Sequence, residues 1–433
     1  MSTKKKLTAY DENSIQHFEG LKGIRKRPTM YIGETGQRGV FHLFRETIDN
    51  SVDEFMEGFC SEIIVDIDEK NDTIMVKDNA RGIPINKLED LLTKPHTGGK
   101  FDSDAYKYSS GLNGVGLKCV NALSDKFRVV VERDGSKVEV EYSKGENVKP
   151  VKTIGKSKNT GTMIFFHPDT EVLGDINIDI TPYLEHCEML SYLNKGLTIK
   201  FHAIKKDGAE VNKEFNSKNG LFDLLHKMNK NLITKPQLFQ LEKSDLGITD
   251  TDNDYRVTIA MAYSKDEEEN IKSFCNSIQT TEGGSHVQGL RAGLSNVLPS
   301  YIKDNKLITK KDGNLELTGD DTREGLVAII VANHTDPLFD SQTKDKLTNK
   351  DITSLSRKVI TECFKKYLDE NKADAKTIAQ KVILAAKSRT AAKKVREVNK
   401  RATSTLNLNS ISKFIDCANN APDYRELFIV EGV

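Results

Sequence analysis

The chain has 433 residues, with 64 Lys and Arg balanced by 64 Asp and Glu, so its formal net charge is zero. This length predicts two or three domains, each with its own core, and the charge balance excludes global steering towards a polyanion, leaving such contacts to local patches. Six scattered cysteines without a C-x-x-C pair argue against a zinc site or disulfide framework and suit a reducing compartment, and no apolar run is long enough to span a bilayer; neither a membrane nor a secretory leader is expected.

In chain order, Lys4-Lys5-Lys6 reads as a tail. The first strong element is a helix over Arg38–Gly58, where Phe41, Phe44, Ile48, Val52, Phe55 and Met56 recur at three- and four-residue steps. Glu46, Asp49, Asn50, Asp53 and Glu54 gather on another side. Such a face is commonly solvated. Alternatively, Glu46 is a carboxylate able to deprotonate a water, and the Asn50 amide oxygen, one turn away, is a hard ligand suited to Mg²⁺. Ile63–Ile67 and Thr73–Val76 read as strands joined by an Asn71-Asp72 turn. The second runs into Asp78-Asn79-Ala80-Arg81-Gly82-Ile83-Pro84. Asp78 at a strand end either caps an Asx turn or accepts from an exocyclic amine of a ligand. His96-Thr97-Gly98-Gly99-Lys100-Phe101 is a loop whose lysine suits phosphate, with His96 a loop residue rather than a catalyst.

Tyr106–Ser124, YKYSSGLNGVGLKCVNALS, is the most informative run. Gly111, Gly114 and Gly116 lead into Val115, Leu117, Val120 and Leu123 at near-helical spacing. A glycine-rich loop opening a helix aims several backbone N–H groups at one spot, which favours phosphate there. Three glycines also make a plain turn, so the upstream elements carry the argument. No G-x-x-x-x-G-K-[ST] occurs and the glycine loop does not follow directly on a strand, which excludes a Walker P-loop and a Rossmann site.

The order of parts is specific: a helix with Glu46 and Asn50, Asp78 before Arg-Gly-Ile-Pro, a Gly-Gly-Lys loop, then Gly-x-x-Gly-x-Gly into a helix. It resembles the nucleotide-binding fold of the gyrase, chaperone, histidine-kinase and mismatch-repair superfamily (GHKL, or Bergerat). Further segments resemble one branch of it, the ATPase half of type IIA DNA topoisomerases such as gyrase B and its topoisomerase IV counterpart. They are GLKGIRKRPTMYIG at Gly20–Gly33, TEGGSHVQGLR at Thr281–Arg291, NHTDPLFDSQTKDKL at Asn333–Leu347 and ELFIVEG at Glu426–Gly432. Two departures stand out. Ser109-Ser110-Gly111 replaces the Ser-Gly-Gly usual in bacterial members, while Asn113 and Lys118 lean towards the eukaryotic and viral pattern. The chain also has Val433 where the family has Asp after Glu-Gly.

The resemblance implies an α/β fold in three parts. A GHKL ATP-binding α/β sandwich with an N-terminal dimerisation arm spans 1–213, an α/β transducer domain spans 214–401, and a linker with the first strand of a TOPRIM domain spans 402–433. It implies ATP and Mg²⁺ as cofactors, with Glu46 as general base, Asn50 on the metal and Asp78 on adenine, where Thr162 assists through water. Arg81 pairs with Glu54 behind the site, beside Gly82, Ile83 and Pro84. Gly98, Gly99, Lys100, Tyr106 and the loop Gly111, Leu112, Asn113, Gly114, Val115 and Gly116, followed by Lys118, close on the nucleotide. Gln342 and Lys344 reach its terminal phosphate from the second domain. Tyr10 and Ile15 belong to an arm that crosses to a second copy, and Glu431 opens a metal site in the TOPRIM segment. The implied partners are a second copy, double-stranded DNA and a subunit or segment carrying the cleavage tyrosine; the implied location is the cytoplasm at the nucleoid, or host cytoplasm for a viral member. The chain alone is expected to hydrolyse ATP without cleaving DNA. A mismatch-repair-type clamp is the alternative, opposed by Gln342-Thr343-Lys344 and Glu431. A non-enzymatic binder is opposed by Glu46 and Asn50.

Strands are also expected at Lys126–Val131, Val138–Tyr142, Gly161–Phe166 and Leu197–Ala203, the last of the first domain, and then at Tyr255–Tyr263 and Gly325–Asn333. Asp245–Asp254 reads as a surface loop. Helices are expected at Thr353–Leu368 and Asp374–Arg401, with a linker over Thr403–Asn420. Lys381, Lys387, Arg389, Lys393, Lys394, Arg396, Lys400 and Arg401 face Glu397 alone, which suits a solvated helix or a phosphate contact.

Overall fold

The computed structural model describes residues 20–100, 106–111, 114–248, 253–309, 315–341 and 343–409, with side chains to residue 397. Tyr10, Ile15, Leu112, Asn113, Gln342, Glu431 and the whole expected TOPRIM segment lie outside the described residues.

Alternating and continuous apolar patterns sort the strands into two sheets. The first has eight strands: β1 (Glu62–Asp68), β2 (Thr73–Asp78), β3 (Ser124–Arg133), β4 (Ser136–Ser143), β5 (Glu146–Lys156), β6 (Gly161–Pro168), β7 (Thr198–Ile204) and β8 (Glu210–Phe215). Their order is β5-β4-β3-β6-β2-β1-β7-β8. Ile63, Val65 and Ile67 alternate inward along β1, as do Ile74 and Val76 along β2, so one face of this sheet meets helices. Those helices are α1 (Lys22–Lys26), α2 (Thr29–Ile32), α3 (Gly36–Met56), α4 (Leu88–Thr93), α5 (Gly116–Ala122), α6 (Thr170–Leu173) and α7 (Ile180–Leu193). The core beneath α3 is built on Val40, Leu43, Phe44, Ile48 and Val52, each at most 1% exposed.

The second unit comprises α8 (Leu221–Met228), β9 (Gln237–Glu242), β10 (Tyr255–Tyr263), β11 (Asn270–Cys275), β12 (Ile278–Gln279), α9 (Ser285–Asp304), β13 (Leu326–His334), α10 (Lys350–Lys358), a π-helical stretch Val359–Phe364, α11 (Lys365–Glu370) and α12 (Lys372–Asn409). Its sheet runs β12-β11-β13-β10-β9, with β11 and β13 parallel. β13 and most of β10 are buried on both faces, which is why their sequences read as continuous apolar runs. One face packs against α9, α10 and α12; the other packs against Leu224 and Leu225 of α8 together with Met189, Tyr192 and Leu193 of α7. The α7–α8 pair is therefore an apolar seam between the two sheets.

Several expectations are corrected. Leu197–Ala203 is not the last strand of its sheet, because β8 pairs with it antiparallel. β5 falls outside the expected set: almost all of it is exposed, so no alternation marks it. The helix expected over Thr353–Leu368 starts earlier and contains the π-helical stretch. The linker expected from Thr403 is still helical to Asn409. The basic run on α12 is not uniformly solvated. Arg389 forks onto Asp321 at 2.8 and 3.0 Å, and Lys381 donates to the carbonyls of Lys265 and Asp266. Lys393, Lys394 and Arg396 are exposed.

Candidate active site

A cavity of about 400 Å³ lies between α3, the ends of β2 and β6, the 97–100 loop and the glycine loop leading into α5. All predicted nucleotide-site residues that are described line it: Glu46, Asn50, Asp78, Arg81, Gly82, Ile83, Pro84, Gly98, Gly99, Lys100, Tyr106, Gly111, Gly114, Val115, Gly116, Lys118, Thr162 and, from the second unit, Lys344. Glu46, Thr47, Asn50, Ser51 and Glu54 share one face of α3, being spaced at four and eight residues with their immediate neighbours.

Asp78 forms the polar end. Ser51 Oγ donates to its Oδ2 at 2.9 Å, and the backbone N–H groups of Ala80 and Thr162 donate to Oδ1 at 3.1 and 3.0 Å. Burial pushes this carboxyl up, while these three donors favour its charged form. The close approach of β6 requires Gly161, since a Cβ there would lie 2.2 Å from the Asp78 carbonyl oxygen.

Arg81 forks onto Glu54 at 2.8 and 2.9 Å, and its guanidinium stacks over Phe59. Burial opposes ionisation of Glu54, but the Arg81 fork and the Tyr106 hydroxyl hold its carboxyl below the usual value. Arg133 Nη1 donates to the Gly82 carbonyl at 2.7 Å and also lines the cavity.

At the other end, the Lys100 ammonium donates to Asn50 Oδ1 and to Asp53 Oδ2, both at 2.6 Å. The amide oxygen of Asn50 thus already meets a cation, and as a hard oxygen it fits a Mg²⁺ ligand. Asp53 is fully buried; burial pushes its carboxyl up, partly offset by Lys100. The α3 acids are therefore not a solvated face: Asp53 lies under the glycine loop, and Asp49 turns towards His186 at 3.9 Å. Lys118 donates to the Thr97 carbonyl at 2.5 Å, and burial, with Lys100 nearby, lowers it to about 8. Lys344 Nζ donates to the Ser110 carbonyl at 2.9 Å. His42, one turn before Glu46, stands 3.4 Å from its Oε1. Among the described residues no group of three or more His, Cys, Asp or Glu could hold a metal ion, and no helix is long and apolar enough to cross a membrane.

Thr47, Ser51, His42 and Arg133 escape the sequence reading. For the first three, helical periodicity is a sufficient signal, since His42 lies four residues before Glu46 and Thr47 and Ser51 each follow Glu46 and Asn50 by one residue on the adjoining strip of the helix. Arg133 has none, because a basic residue at a strand end is also an ordinary surface residue.

Comparison with known proteins settles the family. The histidine kinase-, DNA gyrase B- and HSP90-like ATPase model matches residues 35–171, and the DNA gyrase B model matches residues 220–398. DNA gyrase B of Metamycoplasma arthritidis is 40% identical over 444 residues, covering all of this chain and 69% of the relative. The chain belongs to the DNA gyrase B family. Gyrase B of Streptococcus pneumoniae TIGR4 is also 40% identical, covering 98% of the chain and 65% of the relative. The chain thus spans about two thirds of the length of these curated relatives. Among solved structures, the 43K ATPase domain of Thermus thermophilus gyrase B, in complex with an aminocoumarin, has a TM-score of 0.68 at 29% identity, covering 87% of this chain and 98% of that one. This gyrase B family member is the ATPase region of a type IIA DNA topoisomerase, with a Bergerat ATP-binding unit followed by a transducer unit.

Proposed function

We propose that this chain binds ATP in the 400 Å³ cavity and hydrolyses it there, using the energy to close and reopen a dimeric gate through which duplex DNA passes. The observation carrying this reading is the convergence on one cavity of the α3 face, Asp78, the glycine loop and Lys344 from the second unit.

Asp78, pre-set by its three donors, accepts from the adenine amine, and guanine, with a carbonyl at that position, is repelled. The backbone of Gly111, Gly114 and Gly116, with Lys100 and Lys118, receives the phosphates. Asn50 Oδ1 would hold Mg²⁺, which when bound neutralises phosphate charge. Glu46 takes the proton of the attacking water, and His42 orients its carboxylate. Lys344 moves from the Ser110 carbonyl onto the terminal phosphate and stabilises the charge developing there. Arg81 keeps Glu54 folded against the pocket wall. Tyr10, Gln342, Leu112 and Asn113 join the nucleotide contacts on the strength of the resemblance alone, as Glu431 joins a TOPRIM metal site.

The domain division at 213 and 401, the homodimer, and the partner carrying the cleavage tyrosine belong to the same reading, as does a cytoplasmic location at the nucleoid. Exposed Lys393, Lys394 and Arg396 are the candidates for phosphate contact with DNA. Sedimentation with and without a non-hydrolysable ATP analogue tests the gate: a monomer should become a dimer, and deleting residues 1–15 should abolish the change. Equal mass in both conditions would overturn it.

A further inference from the structure

The loop Tyr106–Gly111 is held from two sides. On the α3 side, the Tyr106 hydroxyl bonds Glu54, Lys107 N–H donates to Glu57 Oε1 at 2.8 Å, and Ser110 donates through N and Oγ to Asp53 at 2.9 and 3.1 Å. On the side of the second sheet, Lys107 pairs with Asp254 at 3.0 Å, Asn276 Nδ2 donates to the Ser109 carbonyl at 2.8 Å, and Lys344 holds the Ser110 carbonyl. The Lys107 pair is half-exposed and contributes little. Lys344 faces the cavity. Asn276 is 1% exposed and does not line the cavity.

Asn276 and Ser277 form the two-residue turn between β11 and β12, with φ of 45° and 66°. Those angles describe a type I′ turn, which asparagine tolerates. The amide of Asn276 is almost fully used. Its second N–H donates to the His334 carbonyl at 2.8 Å, and its Oδ1 accepts from His334 N–H at 3.0 Å. His334 ends β13. Its Nδ1 accepts from Asp336 N–H, which leaves the proton on Nε2, 3.0 Å from Asp351 at the start of α10. Its ring stacks on Tyr255, the first residue of β10, at 5.6 Å and 7°. From Ser109 to the His334 ring the path is thus a buried, directional chain of hydrogen bonds, and its last link to α10, through Asp351, is half-buried.

We infer that Asn276 is a positioning residue that ties the glycine-rich loop to the second sheet, so that a shift of residues 109–111 on nucleotide binding is carried into β13 and α10. This rests on the reading of that loop as the phosphate site. A buried amide with three good bonds moves with its partners rather than letting one go, because each released group would be left unpaired.

Hydrogen exchange on the full chain, with and without a non-hydrolysable ATP analogue, tests it. Asn276→Gly keeps the positive-φ turn and removes the amide. The analogue should protect residues 106–111 in both proteins. Protection of residues 332–336 and of α10, present in the wild type, should be lost in the variant. Turnover number should fall about tenfold with KM nearly unchanged, the size expected for a lost coupling element. If Asn276→Gly does not fold, Asn276→Asp retains the acceptor for His334 N–H, loses both donors, and should show the same loss. Persistent protection of residues 332–336 in the variant, with the pocket protected, overturns the inference alone. No protection of residues 106–111 in the wild type overturns the ATP reading and this inference with it.

Discussion

The carboxylate of Glu46 occupies the space that a side chain at position 116 would need: a Cβ on Gly116 would lie 1.9 Å from Glu46 Oε2. The glycine that opens α5 therefore also seats the acid on α3, and two motifs 70 residues apart in the sequence are fitted to one another.

Replacing Glu46 by Gln removes the proton acceptor without changing shape. Nucleotide affinity should be retained while turnover falls about 10²- to 10⁴-fold. Near-normal hydrolysis by this variant would rule Glu46 out as the base.

Gly116→Ala leaves the acid in place chemically but displaces it. A shift on the ångström scale at a reacting group costs about 10²-fold in rate. The expected result is a kcat defect approaching that of the Gln variant, with the fold intact by circular dichroism. A fully active Gly116→Ala protein would mean that Glu46 need not stand where it does.

Asp78→Asn sets an amide N–H₂ against donors that now point at carboxylate oxygens. At least one of Ser51, Ala80 and Thr162 loses its acceptor. ATP affinity should drop about 10- to 100-fold, the range for a hydrogen bond to a charged group. Calorimetry showing unchanged affinity would remove Asp78 from the adenine contact.

Lys118 gives a pH signature. Its folded value of about 8 lies below that of an exposed lysine, so the unfolded chain binds more protons between about pH 8 and pH 10.5. Stability should accordingly rise across that window, and Lys118→Met should flatten the rise. Phosphates beside Lys118 favour its charged form, so nucleotide binding near pH 8.5 should take up protons. Buffer-dependent calorimetric enthalpies measure that uptake, and their identity between the two proteins would count against the contact.

Much of the site is legible in the sequence because its parts are short, ordered and built on backbone: Asp78 at a strand end, the Gly-Gly-Lys loop, and glycines leading into α5. The cavity-facing set on α3 is only half legible. Charge alone groups Glu46 with Asp49 and Asp53, whereas helical geometry turns Asp49 towards His186 and sends Asp53 under Ser110. Thr47 and Ser51 carry no charge and so draw no notice, although the same geometry selects them. In the second unit, β10 and β13 announce themselves by continuous apolar runs. β11, with Asn270 and Lys272 among its residues, does not. Its role depends on Asn276, whose importance arises entirely from partners 58 and 167 residues away.

β5 closes the first sheet as an open strand of 11 residues, with Val148 and Ile154 standing 58% and 43% exposed. Such an edge could template the addition of strands from other molecules, the route by which β-proteins form fibres. Its sequence opposes that outcome. Lys149, Lys152 and Lys156 place positive charge along it, and Pro150 removes one N–H donor from the row. The same residues that hide this strand from pattern reading oppose strand addition along it. Neutralising those lysines would then reduce its solubility without touching the ATP site.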